Sequence, residues 1–332
     1  MNVARRPFTL CRRRLVFSAA LALTGVSARV SAQGYPTRPV RLVLTNPPGG
    51  TVDTLARVLA DDLTRTLGQP FVVDNRPGAN GTLAGEIVAT SAPDGHTVLF
   101  GPPGPIALNR LLYQKMPYDP TAVFAPVSWV ANAPLVLVAH PSVPIQSVAE
   151  LIDYARSRPG QVAYASQGNG SSGHLAMELL SSMAGISMIH IPYRGSAPAL
   201  VDLIGGRVQF MFDNTTSSLP QVGRGALRAI AVAERERLRV APGIPTVQES
   251  GLRDFEATPW FGVVTRTGTP RESIERLSAA IAQGINRPEV QARFAPLGVE
   301  LRGTTPAAFA AHIGSELVKW ERIVKLSGAK LD

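Results

Sequence analysis

The sequence predicts an α/β protein built as two lobes around a cleft, and three observations predict it. Short, continuously apolar runs alternate with amphipathic helical patterns through most of the chain. Two extended stretches, residues 123–137 and 255–266, break that rhythm, as expected of a chain that leaves one lobe, builds a second and returns. Glycine-rich loops follow the apolar runs, at the strand ends where open sheets bind ligands. The expected division is residues 35–135 with 256–332 in one lobe and 136–255 in the other.

Strands are expected at residues 40–45, 71–74, 97–100, 135–139, 162–165, 188–191, 208–212 and 227–232, all rich in Val, Ile, Leu and Phe. Helices are expected at 53–67, 82–90, 147–157, 173–184 and 197–204. In the first of these Leu55, Val58, Leu59, Leu63 and Leu67 return at three- and four-residue steps on one face. Gly68, Gly160, Gly185 and the Gly205-Gly206 pair stand where those helices should stop. Helices at 270–285, 288–294 and 306–326 close the chain. Strands without polar alternation imply largely parallel sheets covered on both faces.

The first 32 residues read as a cleavable export signal. Arg5, Arg6, Arg12, Arg13 and Arg14 form a basic start, residues 15–26 an apolar run too short to span a bilayer, and Val30-Ser31-Ala32 a cleavage pattern. Arg12-Arg13-Arg14-Leu15-Val16 resembles a twin-arginine signal. The expected location is periplasmic. Six of the 33 basic residues and none of the 24 acidic ones fall in this segment, so the net charge drops from +9 to +3 without it. No basic cluster with interleaved aromatics remains to suggest nucleic acid. The only cysteine, Cys11, also lies there, so the remaining chain offers no disulfide, thiol nucleophile or thiolate metal site.

Function depends on the loops. Gly168, Gly170 and Gly173 satisfy the G-x-G-x-x-G spacing of a dinucleotide site at a helix start. Such a site should place an acid at the end of the next strand, and residues 188–193 read MIHIPY, with none. The same geometry suits any small anion, so an anion loop without a nucleotide is favoured over a nicotinamide-dependent oxidoreductase. Residues 46–53, NPPGGTVD, repeat the strand–glycine–helix arrangement, and the turns at 75–81 and 100–104 resemble them. No G-x-S-x-G nucleophile elbow occurs, and the five histidines contain no i, i+4 pair. Neither hydrolysis nor a metal site is expected, nor any cofactor. His174, at a helix start, is read as neutral or structural; Tyr193-Arg194 could supply a cation.

Taken together, PPGGTVDTLARVLADDL, LGQPFVVDNRPGANGTLAGE, PDGHTVLFG, YDPTAVFAPVSWVA, YASQGNGSSGHLAMEL, IPYRGSAPALVDLIGGRVQFMFDN and PTVQESGL resemble the tripartite tricarboxylate transporter substrate-binding (Bug) family, over essentially all of residues 35–332. The resemblance implies the type 2 periplasmic binding architecture, with two α/β lobes joined by crossing strands. It also implies no catalysis, capture of a small organic carboxylate, delivery to membrane permease subunits, and a monomer. An exported ligand sensor would keep the same site. Carried over to this chain, the implied ligand-binding residues are Asn46, Pro48, Gly49, Gly50, Thr51, Val52 and Asp53 in the first loop. Asn80, Gly81 and Pro103 follow, then Ser166, Gly168, Asn169, Gly170, Ser171 and His174, and last Asp213 and Asn214, with Asp213 expected to face a ligand amine, hydroxyl or water. The chain departs from the family pattern at Asn46, where an aromatic is usual. It departs again at Thr51 and Val52, in place of a further glycine and a small polar residue.

Overall fold

The first apolar run becomes strand β1 (Val40–Leu44), flanked in parallel by β2 (Phe71–Asn75) and β3 (Thr97–Gly101). This computed structural model describes residues 34–327 together with Met1 and Ala4; the segment read as an export signal, residues 1–32, otherwise lies outside the described residues. Alternate side chains of β1 serve opposite faces, as strand geometry requires. Val40, Leu42 and Leu44 pack with Leu55, Leu59 and Leu63 of helix α1 (Thr51–Leu67), while Val43 packs with Ala84 and Val88 of α2 (Thr82–Ala89). After β3 come a short helical segment, Gly104–Leu108, then α3 (Asn109–Leu112) and α4 (Pro120–Val123). Strands β4 (Phe124–Asn132), β10 (Trp260–Arg266) and β11 (Glu300–Leu301) complete this sheet, in the order β11-β4-β10-β3-β1-β2. Helices α9 (Arg271–Ile285) and α10 (Pro288–Phe294) lie beside it, with Ile281, Ile285 and Phe294 in the α1 core.

The second sheet has the order β7-β6-β8-β5-β9. Its strands are β5 (Leu135–Ala139), β6 (Ala163–Ser166), β7 (Ile189–Pro192), β8 (Phe210–Asn214) and β9 (Arg228–Val232). Helices α5 (Val148–Arg156), α6 (Ser172–Ala184), α7 (Ser196–Ile204) and α8 (Thr215–Gly223) connect and cover them. Here again β5 sends Leu135 and Leu137 to one core, and Val136 and Val138 to another with Leu200 and Leu203 of α7. The closing helix α11 (Pro306–Ser327) packs on both β4 and α6, so it touches the layers of both sheets.

The sheets are mixed, which corrects the expectation of largely parallel ones. Strand β10 is antiparallel to β3 and β4, and β5 is antiparallel to β8 and β9. An apolar run reports that both faces are covered; it does not report direction. Strand β5 is buried at every position between two antiparallel neighbours. Helix α8 escaped the sequence reading because its residues, TTSSLPQVG, lack apolar periodicity and hold Pro220 inside the helix.

Between the sheets the chain passes at Ala133-Pro134 and returns through residues 233–259, and the passing segments are hydrogen-bonded together. Ala233 N–H donates to Leu135 O at 2.9 Å, Ala257 N–H to Ala233 O at 3.0 Å and Ala133 N–H to Pro259 O at 3.3 Å. No described helix is long and apolar enough to cross a membrane.

The contact of β10 with α11 leaves no spare room. A Cβ on Gly262 would stand 2.1 Å from Phe309 Cζ. Gly262→Ala should therefore lower stability by about 1–3 kcal/mol through overpacking. The expected readout is a reduced urea midpoint at unchanged m-value; an unchanged midpoint would show that Phe309 swings aside freely.

Candidate functional site

Strand–helix units place each helix start just beyond a strand's carboxyl end. Five of these starts open into one cavity of about 580 Å³ between the sheets. The residues preceding α1, α2, α6, α7 and α8 are Gly50, Gly81, Ser171, Gly195 and Asn214, and all five line it. Only Ser171 caps its helix with its side chain, accepting from His174 N–H at 3.3 Å. The starts of α1, α2, α7 and α8 have no side-chain cap. First-turn N–H groups have no partner inside a helix, and each helix start carries partial positive charge. The cavity lining contains no carboxylate among the described residues, and its one charged side chain is Arg194, which is exposed and without an ion-pair partner. Helix starts of this kind favour negative charge.

Most of the expected site residues reach the cavity. Asn46, Pro48, Gly50, Thr51, Val52, Asn80 and Gly81 line it from the first sheet; Gly168, Asn169, Gly170, Ser171 and Asn214 line it from the second. Asn80 sits at φ +50°, held by its Nδ2 donating to Asn109 Oδ1 at 2.8 Å. Gly81 is required twice over. Its φ is +80°, and a Cβ there would come within 2.8 Å of Thr45. The two sides also touch: Thr51 Oγ1 lies 2.5 Å from Thr216 Oγ1, and Pro47 packs on Gly195.

Gly49, Asp53, Pro103, Ser166, His174 and Asp213 do not line the cavity. All but Pro103, whose neighbours Pro102 and Gly104 do line it, support the loops that do. Asp53 is buried and accepts from Gly49 N–H at 3.1 Å, from Asn75 at 3.1 Å and from both arms of Arg57 at 2.9 Å. Burial opposes its ionised form, but these donors outweigh it and hold its carboxyl below the usual range. Asp213 is fully buried rather than facing a ligand. Gln167 and Ser196 donate to Oδ1 at 2.8 and 2.6 Å, and Ser218 donates to Oδ2 at 2.9 Å. It thereby ties the 167 loop, the α7 start and α8 to the end of β8, while burial pushes its carboxyl up.

Behind the glycine loop stands a stack of rings. His174 lies 4.0 Å from His190, which lies 4.9 Å from Tyr164. Gly170 N–H donates to His174 Nδ1 at 3.1 Å, and His190 Nε2 is 2.6 Å from Ser166 Oγ, itself 3.1 Å from Gly168 N. Burial, reinforced by the neighbouring His190, holds His174 down to about 3, and burial holds His190 down to about 4. Both rings are neutral at pH 7. The three glycines have local causes without a pyrophosphate. Gly168 and Gly170 have φ of +132° and +74°, and a Cβ on Gly173 would strike Phe212 O at 2.3 Å.

Sequence reasoning missed several lining residues: Tyr113, Ser196 and the apolar Leu108, Leu175 and Phe261. Ser196 carried a readable signal, a polar turn between a strand and a helix. The apolar ones did not, since a leucine facing a cavity has the pattern of one facing the core.

The family model described as "Tripartite tricarboxylate transporter family receptor" matches residues 55–329. BugT of Bordetella pertussis is 38% identical over 323 residues, 97% of this chain and 99% of that protein. Among solved structures, an R. palustris protein with adipate shares 39% identity at TM-score 0.86, covering 90% of this chain and all of the other. MatC from Rhodopseudomonas palustris with bound malate shares 32% identity at TM-score 0.84, over 87% of this chain and all of its own.

The neutral His174 sets a pH dependence. An exposed histidine titrates at 6.5, whereas this ring titrates at about 3. Between those values the unfolded chain takes up a proton that the folded chain refuses, so stability falls as pH drops below 6.5. The slope from one such ring is about 1.4 kcal/mol per pH unit. His174→Asn keeps an acceptor for Gly170 N–H and removes the titration. Calorimetric midpoints from pH 6.5 to 4 should therefore fall less steeply for the variant; parallel curves would show that the ring is solvated in the folded state.

Proposed function

The chain belongs to the tripartite tricarboxylate transporter receptor family, and from that membership we propose that it is a periplasmic solute-binding protein that closes on a small organic acid and passes it, unaltered, to membrane permease subunits. The single observation that carries this reading is the convergence of five helix starts on a cleft without a carboxylate. One helix start favours an anion by roughly 0.3–1 kcal/mol when exposed and up to about 2 when partly buried. Charge-assisted hydrogen bonds from N–H and side-chain donors contribute about 1.5–3 kcal/mol each before ordering costs. Micromolar affinity needs only about −8 kcal/mol, so such donors suffice without an arginine clamp. The adipate and malate bound by the two R. palustris relatives are both small dicarboxylates, which supports the same ligand class here.

Chemistry on the ligand is not part of this reading. The histidine nearest the loop faces away, its Nδ1 taken by Gly170 N–H, and Asp213 is sealed beneath Gln167 and Ser196. Apart from Arg194, the polar groups that line the cleft are backbone amides, amides of Asn and Gln and hydroxyls, which hold an anion but are poor proton carriers at neutral pH. The export signal read in the sequence supplies the location.

A thermal-shift screen of small carboxylates, amino acids and sugars tests the reading. A bound acid at 100 times its dissociation constant should add about 2.7 kcal/mol of stability. A response to sugars or amines alone, with none to any acid, would overturn it. Gly168→Val should weaken binding of a responding acid more than tenfold with far-UV circular dichroism unchanged, because φ +132° and Tyr193 O at 3.2 Å leave no place for a side chain. Thr51→Val removes the Thr51–Thr216 hydrogen bond that joins the two sides. A bond of that kind is worth about 0.5–1.5 kcal/mol, so the dissociation rate should rise about two- to tenfold with the association rate unchanged.

A further inference from the structure

The segments that carry the chain between the sheets hold a carboxyl that the cleft does not use. Glu234 directly follows Ala233, whose N–H donates to Leu135 O and whose carbonyl accepts from Ala257 N–H. Thr258, next to Ala257, donates to Glu234 Oε2 at 2.6 Å, while Oε1 is sealed from solvent without a hydrogen-bond partner. Asp62 is the other described carboxylate with such an oxygen, and there Arg65 and Arg287 neutralise the group through Oδ1. Glu234 has no ion pair among the described residues. The cation facing it, Lys319 of α11, is engaged with Glu256 at 2.9 Å and with Glu316 at 3.4 Å. The other charges that act on it, Glu256 from the return segment and Glu300 from β11, are both acidic. Arg235 holds the first of these, and Arg302 the second.

A carboxyl with one donor and an orphaned oxygen favours its protonated form. Burial pushes Glu234 up to about 7, with Thr258 and Lys319 offsetting this only in part and Glu256 and Glu300 adding to it. The nearby ring of His312 does not compete for the proton, because burial, reinforced by Lys319 and Arg302, holds it down to about 4. Rotation of one sheet against the other must be absorbed where the chain crosses. Such a rotation shifts Glu234 against Thr258 and against α11, which packs on β4 and α6. Water then reaches the carboxyl and returns it toward the 4.5 of an exposed glutamate. In the arrangement described, the two sides touch through Thr51 with Thr216 and Pro47 with Gly195. Resting on the receptor reading above, we propose that Glu234 is a proton switch at the crossing: a proton on its carboxyl favours the arrangement in which the two sides touch, and an acid held between them brings that proton in. Linkage is reciprocal, so closure and protonation strengthen each other. Between pH 4.5 and 7 the touching arrangement keeps the proton and the parted one has lost it, so closure weakens as pH rises. Above that window both are ionised and the dependence ends.

Titration calorimetry on the whole protein with succinate, adipate, malate and benzoate, each in two buffers of different ionisation enthalpy, tests the proposal. Net of its own ionisation, an acid that binds should carry in about one proton at about pH 6 and about none at about pH 8.5, and bind about tenfold more weakly at the higher pH. Glu234→Gln keeps an acceptor for Thr258 and carries no charge. It should take up no proton at the lower pH and bind with the same affinity at both. Thr258→Val removes the one donor to the ionised carboxyl and should extend proton uptake to higher pH than in the wild type; should Glu234→Gln fail to fold, this profile decides alone. Uptake that survives Glu234→Gln would assign the proton to another group, Asp213 first, and overturn the switch. No uptake in the wild type, or a Thr258→Val profile identical to it, would overturn the switch as well. Those outcomes leave the receptor reading intact, whereas binding of none of the four acids would overturn that reading and the switch with it.

Discussion

The first-turn N–H groups of a helix must find partners outside the helix, and this requirement organises the molecule. A strand followed at once by a helix delivers that unmet need to the strand's carboxyl end. The two sheets are arranged so that the starts of α1, α2, α6, α7 and α8 open into one cavity, four of them with no side-chain cap. Elsewhere Ser147 caps α5 by accepting from Glu150 N–H and Asp119 caps α4 through Thr121 N–H, while α9 and α10 start without a side-chain cap. Open helix starts of this kind present partial positive charge to the cavity.

The loops that present these groups are held from behind. Asp53 fixes the first loop through Gly49 and Asn75, Asp213 binds the second sheet's loops through Gln167 and Ser196, and the His174–His190–Tyr164 stack backs the glycines. None of these charges or rings lies in the cavity wall. The acids that a sequence scan picks out by their position are thus the frame of the site, and amides and hydroxyls are its surface.

That distinction explains how much was legible. Helical periodicity with glycine stops located α1 to within two residues, and the strand runs from 40 to 212 fall within one or two residues of those observed. Most residues of the loop motifs reach the cavity lining, since glycine and proline declare backbone geometry in the sequence. Strand direction stayed hidden, because burial on both faces is indifferent to it. Helix α8 stayed hidden because tertiary contacts, among them Ser218 with Asp213, fix a segment of poor intrinsic propensity. Leu108, Leu175 and Tyr113 stayed hidden because nothing in a sequence separates the lining of a void from the filling of a core.

The placement of α11 has a mechanical consequence. This helix rests on β4 of one sheet and on α6 beside the other, and its Phe309 and Trp320 are wholly buried in a cluster that includes residues of both. Spreading the sheets apart would strip part of that buried surface, so the helix works as a leaf spring clamped at both ends. The restoring force comes from hydration of apolar area, which weakens on cooling, so the stiffness of the cleft is tied to temperature through a helix with no residue in the cavity wall.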